Sequence, residues 1–243
     1  DDSKELFIQL LDEYPFSLYY NDALSNLANI YFINDDYNNA ISFYIRIDSD
    51  LTDKQSFNLA YSYFQLDSLE TAKYNFSKLL ETDSDYQSAS KYYFAHISYQ
   101  LKNYQSSLKW FMDLRNDKKF KKIVPYYIAQ IYYFLEEYNE LVKYLEPIIN
   151  DVVESRRIEV NRLLGEAFYR QKDYLNAVKY LKSFHDESNN ASDHELFMIG
   201  FSNYQISDYL LAVDYLKQIT IDNSRLAQMT SYYLGASYLR LNK

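Results

Sequence analysis

The chain of 243 residues has no cysteine, only three glycines, three prolines and a single tryptophan. Without thiols it has no disulfide framework, thiol nucleophile or cysteine metal site, and it suits any redox compartment. Three glycines, each inside a helical pattern, leave nothing from which to build a phosphate-cradling glycine loop. The three histidines, His96, His185 and His194, form no i, i+4 metal pair and no zinc-protease motif. No apolar run approaches the ~18 residues that span a bilayer. Basic charge is in deficit: 25 Lys and Arg against 34 Asp and Glu give −9 and a pI near 4.9. That balance opposes a sequence-independent grip on nucleic-acid phosphates. The opening DDSKELF lacks the basic region and apolar core of a secretory leader.

The few glycines are informative through their spacing. Gly165, Gly200 and Gly235 lie 35 residues apart. A glycine inside a helix costs about 1 kcal/mol relative to alanine, so a fixed interval means one local reason that recurs. The series extends backwards with alanine: Ala28, Ala60, Ala95 and Ala129. Twelve residues after each of the first six small positions stands Ala40, Ala72, Ser107, Leu141, Ala177 or Ala212. Tyr37, Tyr104, Tyr138, Tyr174 and Tyr209 open the second half of five repeats, with Leu69 in the remaining one. Asp36, Asn103, Glu137, Asp173 and Asp208 precede these tyrosines as expected helix caps.

Within each half the apolar residues recur at helical spacing, as in Leu24, Leu27, Ala28 and Tyr31, then Tyr37, Ala40, Ile41 and Tyr44. The few residues between halves allow only a tight turn, which makes the two helices antiparallel neighbours. Small residues are expected where the helices cross closely. No useful run alternates with period two, so no strand is expected.

Candidate chemistry reduces to structure. Asp35-Asp36 and Glu136-Glu137 lie at helix turns, where capping explains them. Lys118, Lys119, Lys121 and Lys122 read as a solvated loop between repeats. His185, Asp186, Glu187, His194 and Glu195 lie in SFHDESNNASDHE, read as a polar linker. Asn75-Phe76-Ser77 and Asn190-Ala191-Ser192 match the short glycosylation triplet. Pro147 either kinks the second helix of the fourth repeat or follows an end near Glu146. No catalytic residue, metal site or cofactor is assigned, and the chain does not read as an enzyme.

The pattern resembles the tetratricopeptide repeat, a helix–turn–helix of about 34 residues. The likeness covers roughly residues 21–241, with repeats starting near 21, 53, 88, 122, 158 and 193 and a first helix alone at 228–241. Residues 1–15 read as a helix of a preceding repeat. The implied fold is an all-α, right-handed α-solenoid of antiparallel helix pairs, a single array over 1–243. Arrays normally finish on polar capping elements, so the sequence reads as a piece of a longer protein.

In that family the first helices line a concave groove that holds partner peptides. The groove-facing positions are then three before, one after and four after each small residue. They are Ser25, Asn29 and Phe32; Phe57, Tyr61 and Phe64; Tyr92, His96 and Tyr99; Tyr126, Gln130 and Tyr133; Arg162, Glu166 and Tyr169; Phe197, Phe201 and Tyr204; and Tyr232, Ala236 and Leu239. Of these 21, 13 are Phe or Tyr, against about four at the chain's 19% aromatic content. Aromatic rings give broad contact area at low entropy cost. The assigned partner-binding residues are therefore Phe32, Phe57, Tyr61, Phe64, Tyr92, His96, Tyr99, Tyr126, Tyr133, Tyr169, Phe197, Phe201 and Tyr204. Burial between neighbouring repeats is the competing explanation of the same rings.

Chaperone-binding members clamp a C-terminal carboxylate with Lys, Asn and Arg, but the corresponding residues here are Ser25, Asn29, Asn58, Ala89 and Tyr93, so that clamp is absent. The resemblance implies a non-catalytic protein-interaction scaffold for an extended apolar or basic segment, without nucleic acid or a direct membrane span. A carbohydrate-binding surface is one alternative. The other is a structural module whose groove is filled by its parent chain or by self-association. Pro15, Ser17 and Tyr19, before Leu27, Ala28 and Tyr31, are also similar to the opening of bacterial envelope proteins of the outer-membrane-assembly lipoprotein and TolA-binding types. That likeness favours a periplasmic or cell-envelope location.

Overall fold

The structure is a computed structural model that describes residues 2–188, 191–222 and 224–242. It is built from helices, and among the described residues there is no strand. In chain order they are α1 (Asp2–Glu13), α2 (Tyr20–Ile33), α3 (Tyr37–Tyr44), α4 (Asp53–Gln65), α5 (Leu69–Ser77), α6 (Gln87–Gln100) and α7 (Tyr104–Asp113). They continue as α8 (Val124–Phe134), α9 (Tyr138–Leu145), α10 (Glu154–Arg170), α11 (Tyr174–Ser188), α12 (Asp193–Gln205), α13 (Tyr209–Leu216) and α14 (Arg225–Leu241). Each even-numbered helix from α2 to α12 packs on the helix that follows it, the pairing of an α-solenoid. The chain divides into two compact halves, Asp1–Phe120 and Lys121–Lys243.

The small residues lie at the helix contacts. Ala28, Ala60, Ala95 and Ala129 are fully buried, as are Ala40, Ala72, Ala177 and Ala212, which stand twelve residues after Ala28, Ala60, Gly165 and Gly200. A Cβ on Gly165 would sit 2.5 Å from Leu181 Cγ and 2.8 Å from the Leu181 backbone nitrogen. At Gly200 the same atom would meet Leu216 Cγ at 2.7 Å. Those two glycines exist because α11 and α13 come too close for any side chain. Gly235 departs from the expectation, since a Cβ there would meet nothing within 4 Å. Ser107 answers the polar requirement of its buried site by donating to the Ala95 carbonyl at 2.8 Å.

The turn inside each pair has one construction throughout. Asp35, Asp67, Lys102, Glu136, Lys172 and Ser207, each seven residues after a small position, adopt positive φ between 57° and 67°. In the first turn the Asp36 N–H donates to the Tyr31 carbonyl and the Asp35 N–H to the Phe32 carbonyl. This is the Schellman arrangement that satisfies helix-terminal carbonyls, and the same two bonds recur at all six turns. Glycine usually fills such a position; here none does.

Asp36, Asn103, Asp173 and Asp208 then cap the second helix by accepting from the backbone N–H three residues on. Glu137 does not cap α9 with its side chain, contrary to expectation. Its extra methylene removes it from the short side chains that reach the N3 amide.

Pro147 follows the end of α9 at Leu145 and begins a short 3-10 segment, Glu146–Asp151, so the helix ends rather than kinks. The polar stretch around His185 is shorter as a linker than expected. Helix α11 continues through His185, Asp186 and Glu187 to Ser188, with the His185 ring edge-on to Tyr215 at 5.2 Å. Ser192 and Glu195 form a reciprocal capping box at the start of α12. Of the two glycosylation triplets, Asn190 lies outside the described residues. Asn75 is inside α5 beside the fully buried Phe76, and its amide donates to the Thr71 carbonyl.

Candidate functional site

Residues spaced by three or four along a helix share one face, so the three assigned positions of each first helix form one strip. In the first half the strips of α2, α4 and α6 carry rings that touch from one helix to the next. Phe32 meets Tyr61 at 5.9 Å, Phe57 stacks on Tyr61 at 6.2 Å, and Tyr61 meets Phe64 at 6.3 Å. Phe64 reaches His96 at 6.1 Å, His96 stacks on Tyr92 at 6.0 Å, and Tyr92 stacks on Phe120 at 4.7 Å. Each contact adds about 0.5–1.5 kcal/mol beyond area burial. All the assigned rings of this half are partly buried and none is freely exposed. Burial also holds the His96 imidazole pKa below its ordinary value.

In the second half the rings fall into two groups. Tyr169 packs edge-on to Phe201 at 5.9 Å, Phe201 on Tyr233 at 4.7 Å, and Tyr204 on Tyr233 at 5.2 Å. Phe197 stacks beneath Phe201 at 5.8 Å but is only 2% exposed. It is a core residue, correcting its assignment to the partner surface: the Phe201 and Tyr233 rings cover it. Tyr126 and Tyr133, on α8, form the other group.

Around Tyr133 the aromatic strip gives way to charge. The Tyr133 hydroxyl donates to Glu166 Oε2 at 2.5 Å, and Arg162 Nη1 grips the other Glu166 oxygen. Arg162 also makes a two-point bond with Glu159, at 3.0 and 2.6 Å, and lies 3.9 Å from Glu195. The Glu159 bonds, ahead of the Glu166 and Glu195 charges, raise the guanidinium pKa despite its burial. One guanidinium thus faces three carboxylates. Burial, then the Glu166 bond, pushes the Tyr133 phenol up to about 12.

Other residues that pack on these strips were not assigned from the sequence. Tyr93 is the hub of the first-half rings, within 5.3 Å of Tyr61, Phe64 and Phe76, and burial pushes its phenol up to about 12. Its signal was available two residues before Ala95, where Tyr233 stands before Gly235. The tyrosines opening five of the second helices hold the last ring of the strip before them: Phe32–Tyr37, Tyr99–Tyr104, Tyr133–Tyr138, Tyr169–Tyr174 and Tyr204–Tyr209 lie 5.6–6.2 Å apart. The charged network could have been found from Arg162 with Glu159 at i−3 and Glu166 at i+4. Asn29 and Asn58 are engaged internally: the Tyr44 hydroxyl donates to Asn29 at 2.7 Å, and the Asn58 amide donates to Tyr44 at 3.1 Å.

These repeating antiparallel pairs, with small residues at each crossing, define a helical solenoid of the interaction-scaffold class. The profile of the tetratricopeptide repeat matches residues 22–48, which hold α2 and α3. Three solved structures share the fold at low identity. PilF of Pseudomonas aeruginosa is 15% identical with a TM-score of 0.58, over 87% of this chain and 96% of that one. YrrB, described as a tetratricopeptide-repeat protein with an unusual peptide-binding site, is 15% identical with a TM-score of 0.60, over 73% and 91%. A repeat protein from Parabacteroides merdae is 14% identical with a TM-score of 0.51, over 97% and 91%. No curated protein matches the chain significantly in sequence. The class is in general one of non-catalytic scaffolds for protein or peptide partners. Among the described residues no helix is long and apolar enough to cross a membrane.

Proposed function

We propose that the strips on the first helices bind an extended segment of a partner protein. The observation that carries this reading is the ring chain from Phe32 through Tyr61 and Phe64 to His96 and Tyr92, each ring packed on its neighbours and partly exposed. Rings held in this way lose little freedom when a ligand covers them, which favours recognition over simple core filling. The second-half strip has different chemistry. Three carboxylates around Arg162 favour a basic side chain beside an apolar one. Phe197 takes no part. The lead-in at Pro15, Ser17 and Tyr19 supports a setting in a bacterial envelope assembly, which fractionation of the producing cell tests.

The experiment is selection of unstructured peptides by display against the purified chain, beside an oligosaccharide array. Enrichment of peptides with aromatic or aliphatic residues near Lys or Arg is expected. Replacing Tyr61, Tyr99 and Tyr133 together by alanine should abolish their capture while helicity is retained. Capture unchanged by those substitutions, or binding only to oligosaccharides, would overturn the reading.

A further inference from the structure

The chain's single tryptophan, Trp110, stands on α7, a second helix, and belongs to none of the strips. Its neighbour Phe111 is fully buried and packs edge-on to Tyr92, 6.0 Å away. Trp110, about 100° round the helix from it, meets Phe94 at 6.2 Å instead and stays half-buried. In the first, fourth and fifth repeats the ring at this place faces a second ring, three residues after the small position. Phe43 stacks on Tyr31 at 5.4 Å, Tyr144 meets Tyr132 at 6.4 Å, and Tyr180 stacks on Phe168 at 5.6 Å. In the third repeat that residue is Ser98, fully buried, its hydroxyl without a hydrogen-bond partner among the described residues. The indole therefore lacks the ring that covers its counterparts. Two cations lie over it in place of one, Lys109 Nζ at 4.5 Å and Lys91 Nζ at 5.7 Å from the ring centroid.

Beside the indole is an open cleft of about 500 Å³, lined by Lys109, Trp110, Met112, Asp113, Arg115 and Asn116. That volume suits a small ligand or a few side chains. Its charges do not balance. Asp113 is already paired with Lys91, whose Nζ lies 2.7 Å from the carboxylate. Lys109 has no carboxylate partner among the described residues, and the side chains of Arg115 and Asn116 make neither a hydrogen bond nor an ion pair there. Two cations and an amide are thus free beside an apolar wall of Trp110 and Met112.

This basic cleft belongs to a chain of net charge −9. Screening over about 8 Å at physiological salt leaves the cations at the cleft, and not the distant carboxylates, to select what enters it. A nucleic acid gains its affinity from a run of phosphate contacts, more than two free cations supply. A short acidic segment needs no more than is present. Arg115 can fork onto one carboxylate, Lys109 can pair with another, and an apolar side chain can lie against the indole.

We propose that the cleft beside Trp110 binds a short acidic segment of a partner protein, two carboxylates flanking an aromatic or aliphatic residue. The site is separate from the first-helix strips and selects the opposite charge from the carboxylates around Arg162, so it stands whether or not the strips bind.

Trp110 is its own reporter, because no other tryptophan contributes to the emission. Titration of the full chain with the peptide acetyl-Glu-Leu-Glu-Phe-Glu-amide should shift that emission saturably. The Gln-Leu-Gln-Phe-Gln counterpart should bind about tenfold more weakly or worse, and added salt should weaken the acidic peptide. Arg115→Gln changes an exposed side chain without partners, so it should leave the thermal midpoint unchanged and lower affinity about tenfold. Arg115→Lys should recover part of that loss. No saturable shift, equal affinity for the two peptides, or Arg115→Gln binding like the wild type overturns the proposal. So does inorganic phosphate or a single-stranded oligonucleotide that shifts the emission at lower concentration than the acidic peptide.

Discussion

The Tyr133 hydroxyl donates to Glu166 at 2.5 Å and so ties α8 to α10, through a carboxylate only 4% exposed. Arg162 occupies the other oxygen of that carboxylate. Tyr133→Phe removes one bond to a buried charged acceptor and should lower stability by about 1–2 kcal/mol. Urea denaturation checks this. An unchanged midpoint would mean that water replaces the phenol without loss.

The phenols give a pH dependence with a defined sign. Tyr93 and Tyr133 are both pushed up to about 12 from 10.0, chiefly by burial. A raised pKa means that the folded state favours the neutral phenol, while the unfolded chain ionises at its ordinary value. The contribution is fully present below pH 10 and is lost as pH rises towards about 12. Phenolate absorbance of the native chain should show a late-titrating class, and Tyr93→Phe together with Tyr133→Phe should shrink it to Tyr37, which its bond to Asp35 also pushes up to about 12. Complete ionisation near pH 10 in the native chain would contradict the burial of these rings.

Gly165 and Gly235 occupy the same repeat position and should respond oppositely to alanine. At Gly165 the added methyl meets the Leu181 backbone nitrogen at 2.8 Å, where no side-chain rotation relieves it. Overpacking of this kind costs about 1–3 kcal/mol and outweighs the helix propensity of alanine. At Gly235 the methyl meets nothing within 4 Å, so alanine should stabilise α14 by up to about 1 kcal/mol in dilute solution. Thermal unfolding of the two variants decides it, and equal shifts would contradict the contact.

The six turns with positive φ offer the reverse substitution. Lys102 and Ser207 hold φ at 58° and 67°. Glycine adopts that region without the clash of a Cβ, so Lys102→Gly and Ser207→Gly should each stabilise by about 0.5–1 kcal/mol. A loss measured by urea denaturation would show that these side chains contribute more than their backbone strain costs.

Helix pairing was legible in the sequence because close crossings exclude large residues, and that exclusion leaves Ala28 to Gly200 at regular intervals. The αL turns were not, because Asp67, Lys102 and Ser207 stand where glycine would have marked them. The sequence placed Phe197 on the same helix face as Phe201, and spacing alone does not tell that Phe201 and Tyr233 cover it. Pro147 admitted two readings, and the neighbouring 3-10 segment distinguishes them. The exchange of rings for charge at Arg162 and Glu166 was visible as residue types. The shared geometry with Tyr133 and Glu195 arises only when α8, α10 and α12 stand side by side.

Several large apolar side chains are more exposed than the assigned partner-binding rings, among them Tyr74, Leu175 and Leu210 on second helices, each 65–68% exposed. They provide the competing surface for any partner. The most direct measurement is therefore resonance mapping of the aromatic and methyl groups during titration with a display-selected peptide. The account predicts shifts at Phe32, Tyr61, Phe64, Tyr99 and Phe201 and none at Tyr74, Leu175 and Leu210. Shifts confined to those second-helix residues, with the strip rings unmoved, would contradict it.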